Sequence, residues 1–469
     1  MPYQGELANK ASHADIVKNP DVNSFLEKCR YLRQPTDEDI LRISKSFSSY
    51  PQPEEKDLPE YLIATDGSYY EASVNNRFPN TKVAYLKFGT ILIKLSEYRA
   101  LHFQETNLLD PFKVAALEEK NTPITLTLPS ANVTVSGMSS VQESFRHILN
   151  EWFCDSRTQI DEEDATSSLI DTLFDLASRR PDNLGSGNID LIRTLKCPTC
   201  GVTPDSGFIE VKKGCKSICD SCNHEIFPTD CLRIWEEISE YQSNGTALGR
   251  IMMIVEHLLP IHYIRYLKKY EPEKLSNIVF FVDGPLAVFG NCAWIHRCIL
   301  DYLNEVRRDL LKQGLNPPLI IGLQKSGQLV DFAQLVSPEL KGSSLLLIDD
   351  EYRYKYIYAG REMAGNGFGD ETYYGQDFIY KTPSGRIFVF GLPFPTGQKR
   401  PRNSFDEKRF DLNSYVELNR ALSVLFHFES DLYENALVPI ALAHKYTAIS
   451  LSPGGRVLDL LSRASIGAK

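Results

Sequence analysis

The chain has 469 residues, 61 acidic against 51 basic side chains, a formal net charge of −10 and a pI near 5.5. That acidity excludes a protein that coats nucleic acid through net positive charge, while a local basic groove stays open. Hydrophobic content of 42% and charged content of 24% are those of a globular protein with two or three domains or one large elaborated one.

The first residues, Met1-Pro-Tyr-Gln-Gly-Glu, lack a charged region leading into an apolar stretch, so no signal peptide is expected. Residues 1–57 read as peripheral, with a helix over 21–33 and a Pro-rich linker from Ser49. The first part of the core spans 58–154. It holds a strand into Asp66, a long β stretch over 82–94, a β-branched segment over 123–135 and an amphipathic helix over 141–153. An acidic run at 161–164 reads as a solvated loop or helix start. Polar, Gly- and Cys-containing sequence over 155–245 reads as an insertion. The second part of the core, 246–469, resumes the alternation. Helices are predicted over 246–269, 293–312, 415–426 and 436–449, and strands over 278–283, 319–323 and 344–349. The most apolar helix, Ile251-Met-Met-Ile-Val-Glu256-His257-Leu-Leu-Pro260, is too short and too polar to span a bilayer. The expectation is a cytoplasmic α/β protein with no membrane association, whose ten cysteines serve as metal ligands and core thiols.

Two apolar segments run into the same dipeptide: Tyr61-Leu-Ile-Ala-Thr-Asp66-Gly67 and Ile278-Val-Phe-Phe-Val-Asp283-Gly284. Asp-Gly is a common turn pair. If the strands are parallel neighbours, however, both carboxylates meet at one sheet edge. At an effective dielectric near 20, two charges about 4 Å apart repel by roughly 4 kcal/mol. A divalent cation removes that cost, and carboxylate-held Mg²⁺ or Mn²⁺ is the machinery of phosphodiester cleavage. Glu256, on the helix before the second segment, is the third acidic candidate.

Cys197-Pro-Thr-Cys200, followed by Cys219-Asp-Ser-Cys222, has zinc-ribbon spacing, with Cys215, His224 and Cys231 as alternative ligands. In a small insertion without its own core, Zn²⁺ would supply the folding energy. The run Asp350-Glu-Tyr352-Arg353-Tyr354-Lys355-Tyr356-Ile-Tyr358 reads as a strand with tyrosines on one face and cations on the other. It is either an edge strand or a stacking surface for bases. Lys399, Arg400, Arg402, Lys408 and Arg409 form a basic loop that either touches phosphate or is simply solvated. No Gly-x-x-x-x-Gly-Lys-Ser/Thr motif occurs, so no P-loop motor is encoded here.

Ala64-Thr-Asp66-Gly67-Ser68, the helix with Glu256 and Phe281-Val-Asp283-Gly284, in that order, resemble the NurA nuclease family. Gly322-Leu-Gln-Lys325-Ser326 and the helix bearing Ala443-His444 are similar to later motifs of that family. The resemblance implies an RNase H-like mixed sheet flanked by helices, here with a zinc-ribbon insertion. It also implies divalent-metal nuclease activity on DNA, a homodimer, and partnership with a HerA-type hexameric ATPase in end processing, repair or defence. Asp66, Glu256, Asp283 and His444 would then be Mn²⁺ or Mg²⁺ ligands. His444 would alternatively be an acid–base residue, and Lys325 would contact phosphate. The competing expectation is a non-catalytic scaffold that binds DNA or a partner through the ribbon and the tyrosine segment.

Overall fold

In this computed structural model the described residues are 17–30, 36–51, 53–74, 80–101, 123–358, 367–429, 437–449, 457–458 and 460–462. The chain divides into two units, Met1–Phe47 and Ser48–Lys469. The first contains helices Pro20–Lys28 and Asp37–Ser44. The Asn19 side chain caps one, and a Thr36/Asp39 capping box opens the other. Arg33 and Ala436, at the ends of two predicted helices, lie outside the described residues.

The second unit is built on one nine-stranded mixed sheet. Third from one edge is β2 (Tyr61–Ser73), which pairs antiparallel with β3 (Lys82–Lys94) along its whole length. β4 (Ile124–Pro129) continues the sheet beyond β3, while 131–135 forms no strand. On the other side of β2, β9 (Ile278–Asp283) and β10 (Leu319–Gln324) run parallel to it. Then come β13 (Ile387–Pro393), β12 (Gly375–Lys381), β11 (Ser344–Leu347) and a two-residue β1 (Ser48–Ser49), all in antiparallel pairings. The parallel strands are buried on both faces and read as unbroken apolar runs, which is how such strands differ from half-solvated ones.

Alternate residues of these strands feed two apolar layers. Ile63, Phe280, Val282 and Ile320 face α1 (Val141–Phe153), α2 (Leu169–Ser178), α3 (Gly245–Tyr270) and α4 (Ile295–Lys312). Leu62, Ala64, Phe281 and Leu323 face α5 (Leu418–His427) and α6 (Val438–Thr447). The period-2 alternation of the strands fixes which helices meet which residues. Within 155–245, Leu169, Leu173, Phe174 and Ala177 of α2 are buried in the main core, whereas β5 (Leu191–Thr194), β6 (Ile209–Lys212), β7 (Ser217–Ile218) and β8 (Glu225–Ile226) form two small hairpins around the cysteines.

Three expectations are corrected. The tyrosine-rich run is not a strand: Asp350–Tyr352 is a helical turn and Arg353–Ile357 a wider one. The Asp349 carboxylate accepts the Tyr352 backbone N–H at 2.6 Å, an N-cap that starts helix instead of strand. Arg353 is then drawn inward onto Asp377 at 2.8 Å, so no single face of alternating tyrosines exists. The basic loop is not simply solvated. Residues Arg402–Arg409 are a helix, Lys399 is buried with its ammonium on the Gly369 and Asp370 carbonyls, and Arg409 is buried against Asp350. Thirdly, β2 does not end at Asp66-Gly67 but runs on to Ser73. Among the described residues no helix is long and apolar enough to cross a membrane.

Candidate metal site between two parallel strands

The parallel register of β2 and β9 sets Thr65 beside Val282, the last pair before Asp66 and Asp283. Both aspartates lie on the α6 side of the sheet, in phase with Ala64 and Phe281. β9 stops at Asp283, and Gly284 turns away with φ of +97°, a conformation glycine adopts without strain. Asp66 instead stays within the β2–β3 hairpin, where it stands opposite Gly89.

His444 joins them from α6. One donor atom each from Asp66, Asp283 and His444 falls within 4.8 Å of the others. His444 Nδ1 is 3.2 Å from Asp66 Oδ2, and Lys325, just beyond β10, puts Nζ 2.7 Å from Asp283 Oδ2. Asp66 is buried, Asp283 and Lys325 are about one-quarter exposed, and the His444 side chain is 65% exposed. The site therefore has a closed floor and an open mouth. Two oxygen ligands and an imidazole suit Mn²⁺ or Mg²⁺ with further positions left for water and substrate.

Glu256 approaches from the opposite face. Its carboxyl accepts the Gly67 backbone N–H, and its titration is pushed well above the usual carboxylate range, by burial first and then by Asp66 and Asp283. A Cβ on Gly67 would lie 2.8 Å from Met252 Cγ and 3.0 Å from Glu256 Oε1, so only glycine lets α3 come this close to β2. Pro260 has no N–H to offer the Glu256 carbonyl, four residues earlier in α3. The structure thus brings Asp66, Asp283, His444 and Lys325 into direct contact in pairs and holds Glu256 within electrostatic reach.

The four predicted cysteines also converge. The Cys197–Cys222 and Cys200–Cys219 sulfur separations are 3.6 and 3.8 Å, and all four sulfurs lie within 4.8 Å of one another. A tetrahedron with Zn–S bonds of about 2.3 Å has edges of about 3.8 Å, so the thiols fit zinc. The two knuckles are alike in the backbone. Cys197 N–H donates to the Val202 carbonyl and its own carbonyl accepts from Gly201; Cys219 does the same with His224 and Asn223. Gly201 and Asn223 both have positive φ, the turn each knuckle needs. Cys215 is exposed and outside the cluster. Cys231 is buried in the main core, where burial raises its thiol to about 12.

Three residues at the first site were not singled out from sequence. Thr447 hydrogen-bonds Asp66, Ser68 donates to the Thr447 carbonyl, and Lys87 donates to the Tyr446 carbonyl. Thr447 follows His444 by three residues on one helix, a spacing that shares a face and carries the only sequence signal for it. Nothing local marks Lys87.

The NurA domain family matches residues 61–449, most of the chain. Among solved structures, the NurA nuclease from Sulfolobus solfataricus is 8% identical over 98% of each chain, with a TM-score of 0.38. A NurA crystal structure bound to dAMP and manganese is 13% identical over 98% of each chain, with a TM-score of 0.26. Likenesses this distant transfer no residue and no ligand. No curated protein sequence matches the chain.

Proposed function

The chain belongs to the NurA family, and on that premise we propose that it is a divalent-metal-dependent DNA nuclease that hydrolyses phosphodiester bonds. The observation that carries this reading is the convergence of donor atoms from Asp66, Asp283 and His444 within 4.8 Å where β2 and β9 lie side by side. Those residues would hold Mn²⁺ or Mg²⁺, with Glu256 completing the acidic set on an RNase H-like core. A bound cation supplies Lewis acidity toward a phosphate oxygen and a water made acidic enough to attack.

The chain's own residues do the rest. Asp66 and Asp283 sit on adjacent strands, so their separation is set by backbone hydrogen bonds and costs no reorganisation. The Lys325 ammonium, now on Asp283, is the cation available to a phosphate oxygen that enters the open mouth. His444, mostly exposed and anchored through Nδ1 on Asp66, serves as a ligand or as a proton donor at the leaving oxygen. The cysteine cluster holds structural zinc. Because no motor motif is present, advance along DNA would fall to a HerA-type hexameric ATPase, with the nuclease as a homodimer in end processing, repair or defence within the cytoplasm.

The test uses labelled linear DNA and the full chain with added Mn²⁺, alone and with such an ATPase. Cleavage is expected for the unaltered protein and its loss for Asp66→Asn and Asp283→Asn. Cleavage that survives both substitutions refutes the assignment.

A further inference from the structure

Helix α6 meets the site with its C-terminal end, where the last carbonyls of a helix have no partners within it. Two of these carbonyls are taken by the sheet. Ser68 Oγ donates to the Thr447 carbonyl at 2.6 Å, and Lys87 Nζ donates to the Tyr446 carbonyl at 2.5 Å. Ser68 and Lys87 are paired opposite each other in β2 and β3, two residues along from the Asp66–Gly89 pair. The Lys87 ammonium also lies 5.1 Å from the centre of the Tyr446 ring, at the negative end of the helix dipole. At Gly89 a Cβ would stand 2.6 Å from both Thr447 Cγ2 and Tyr446 Cδ1, so the helix end rests directly on bare backbone beside Asp66.

The buried Thr447 hydroxyl has three acceptors in reach. Asp66 Oδ2 is the closest, and the Ala443 and His444 carbonyls stand at 3.1 and 3.2 Å. The carboxylate, closest and charged, is the strongest of the three acceptors for its one proton, although a helical threonine can satisfy itself on its own preceding turn. Asp66 Oδ2 is thereby engaged by Thr447 and faced by His444, and the carboxylate plane is fixed.

Resting on the metal-site reading above, we propose that Thr447 is a positioning residue for Asp66. Ser68 and Lys87 pin the helix end that carries Thr447 and His444, so the site is assembled by docking a helix terminus onto Gly89. Partners behind a metal ligand are commonly worth about 10- to 100-fold in metal affinity. Thr447→Val keeps the shape and removes the hydroxyl, and Thr447→Ser keeps the hydroxyl.

The measurement is Mn²⁺ affinity of the full chain by titration calorimetry, alongside metal-free thermal unfolding. Thr447→Val is expected to weaken Mn²⁺ binding at least about 10-fold with little change in metal-free unfolding, and Thr447→Ser to restore it. The double variant Ser68→Ala with Lys87→Met, altered outside the buried contact, is expected to weaken binding in the same sense. It supplies the test if Thr447→Val does not fold. Unchanged affinity in Thr447→Val or in the double variant, with binding lost in Asp66→Asn, overturns the positioning role and leaves the metal site standing. Absence of Mn²⁺ binding in the unaltered chain removes both.

Discussion

Asp283 shares its charge with Lys325, whereas Asp66 is engaged by a hydroxyl and faced by an imidazole, so the two aspartates of one site have different surroundings. The difference follows from position. Asp283 ends its strand and reaches the open mouth, where an ammonium on a flexible stem can follow it. Asp66 lies inside a hairpin under a helix end. Lys325→Met should therefore separate binding from chemistry. Removing a cation that competes for Asp283 leaves Mn²⁺ affinity undiminished, while loss of a phosphate-facing charge slows cleavage about 10²-fold. Single-turnover cleavage beside a Mn²⁺ titration reads both, and an unchanged rate would show that Lys325 takes no part.

At the scale of elements, the zinc-ribbon hairpins and the main sheet are stabilised by different means. The cluster around the cysteines buries only Cys197, Val211, Cys219 and Ile226, with Ile209 and Cys222 packed beside them. So few apolar side chains cannot offset the ordering entropy of about forty residues, at roughly 1–2 kcal/mol each for the backbone. Structural zinc, on the order of 10–16 kcal/mol in finger peptides, adds a stabilising term that the small apolar cluster lacks. Cys200→Ser is expected to lower bound zinc from one ion per chain to none, measured by elemental analysis. It should also open 191–226 to protease while the α/β core stays resistant. Zinc retained at one ion per chain would contradict the four-thiolate assignment. The elements most readable from sequence were the long periodic ones: β3 and α1 have their predicted bounds, and α3 differs by one residue at each end. The tyrosine run misled because period 2 in Tyr352, Tyr354, Tyr356 and Tyr358 is a strand signal, whereas Asp349 ahead of it is a helix cap, and the cap prevailed.

For the molecule as a whole, three buried histidines contribute to the response to acid. His257 and His262 on α3 titrate near 4 and His296 near 3, in each case mainly because burial disfavours the imidazolium. His262 is satisfied as a neutral ring, with Nδ1 accepting from the Thr172 hydroxyl and Nε2 donating to the Thr158 carbonyl. An unfolded histidine titrates near 6.5, so between about 4 and 6.5 the unfolded chain binds more protons than the folded one. Their contribution to stability is thus full above about pH 6.5 and falls as the pH drops toward 4, by on the order of 3 kcal/mol for each such histidine. Urea denaturation at pH 7.5 and 5.0 should show this loss, and His262→Gln should reduce it. An equal pH dependence in the variant would place the acid sensitivity elsewhere.

The sequence by itself determined the chemistry present: two Asp-Gly segments, a glutamate on an apolar helix, an Ala-His helix and two Cys-x-x-Cys pairs at ribbon spacing. These are local signals, carried by residue type and by periods of two and 3.6. Only the tertiary structure decided that Asp66 lies mid-strand, that β12 and β13 complete the sheet, and that Thr447, Ser68 and Lys87 surround the site. Those facts depend on register and on how closely a helix end can approach a glycine. Both are set by pairings between residues hundreds of positions apart, such as Asp66 with Thr447.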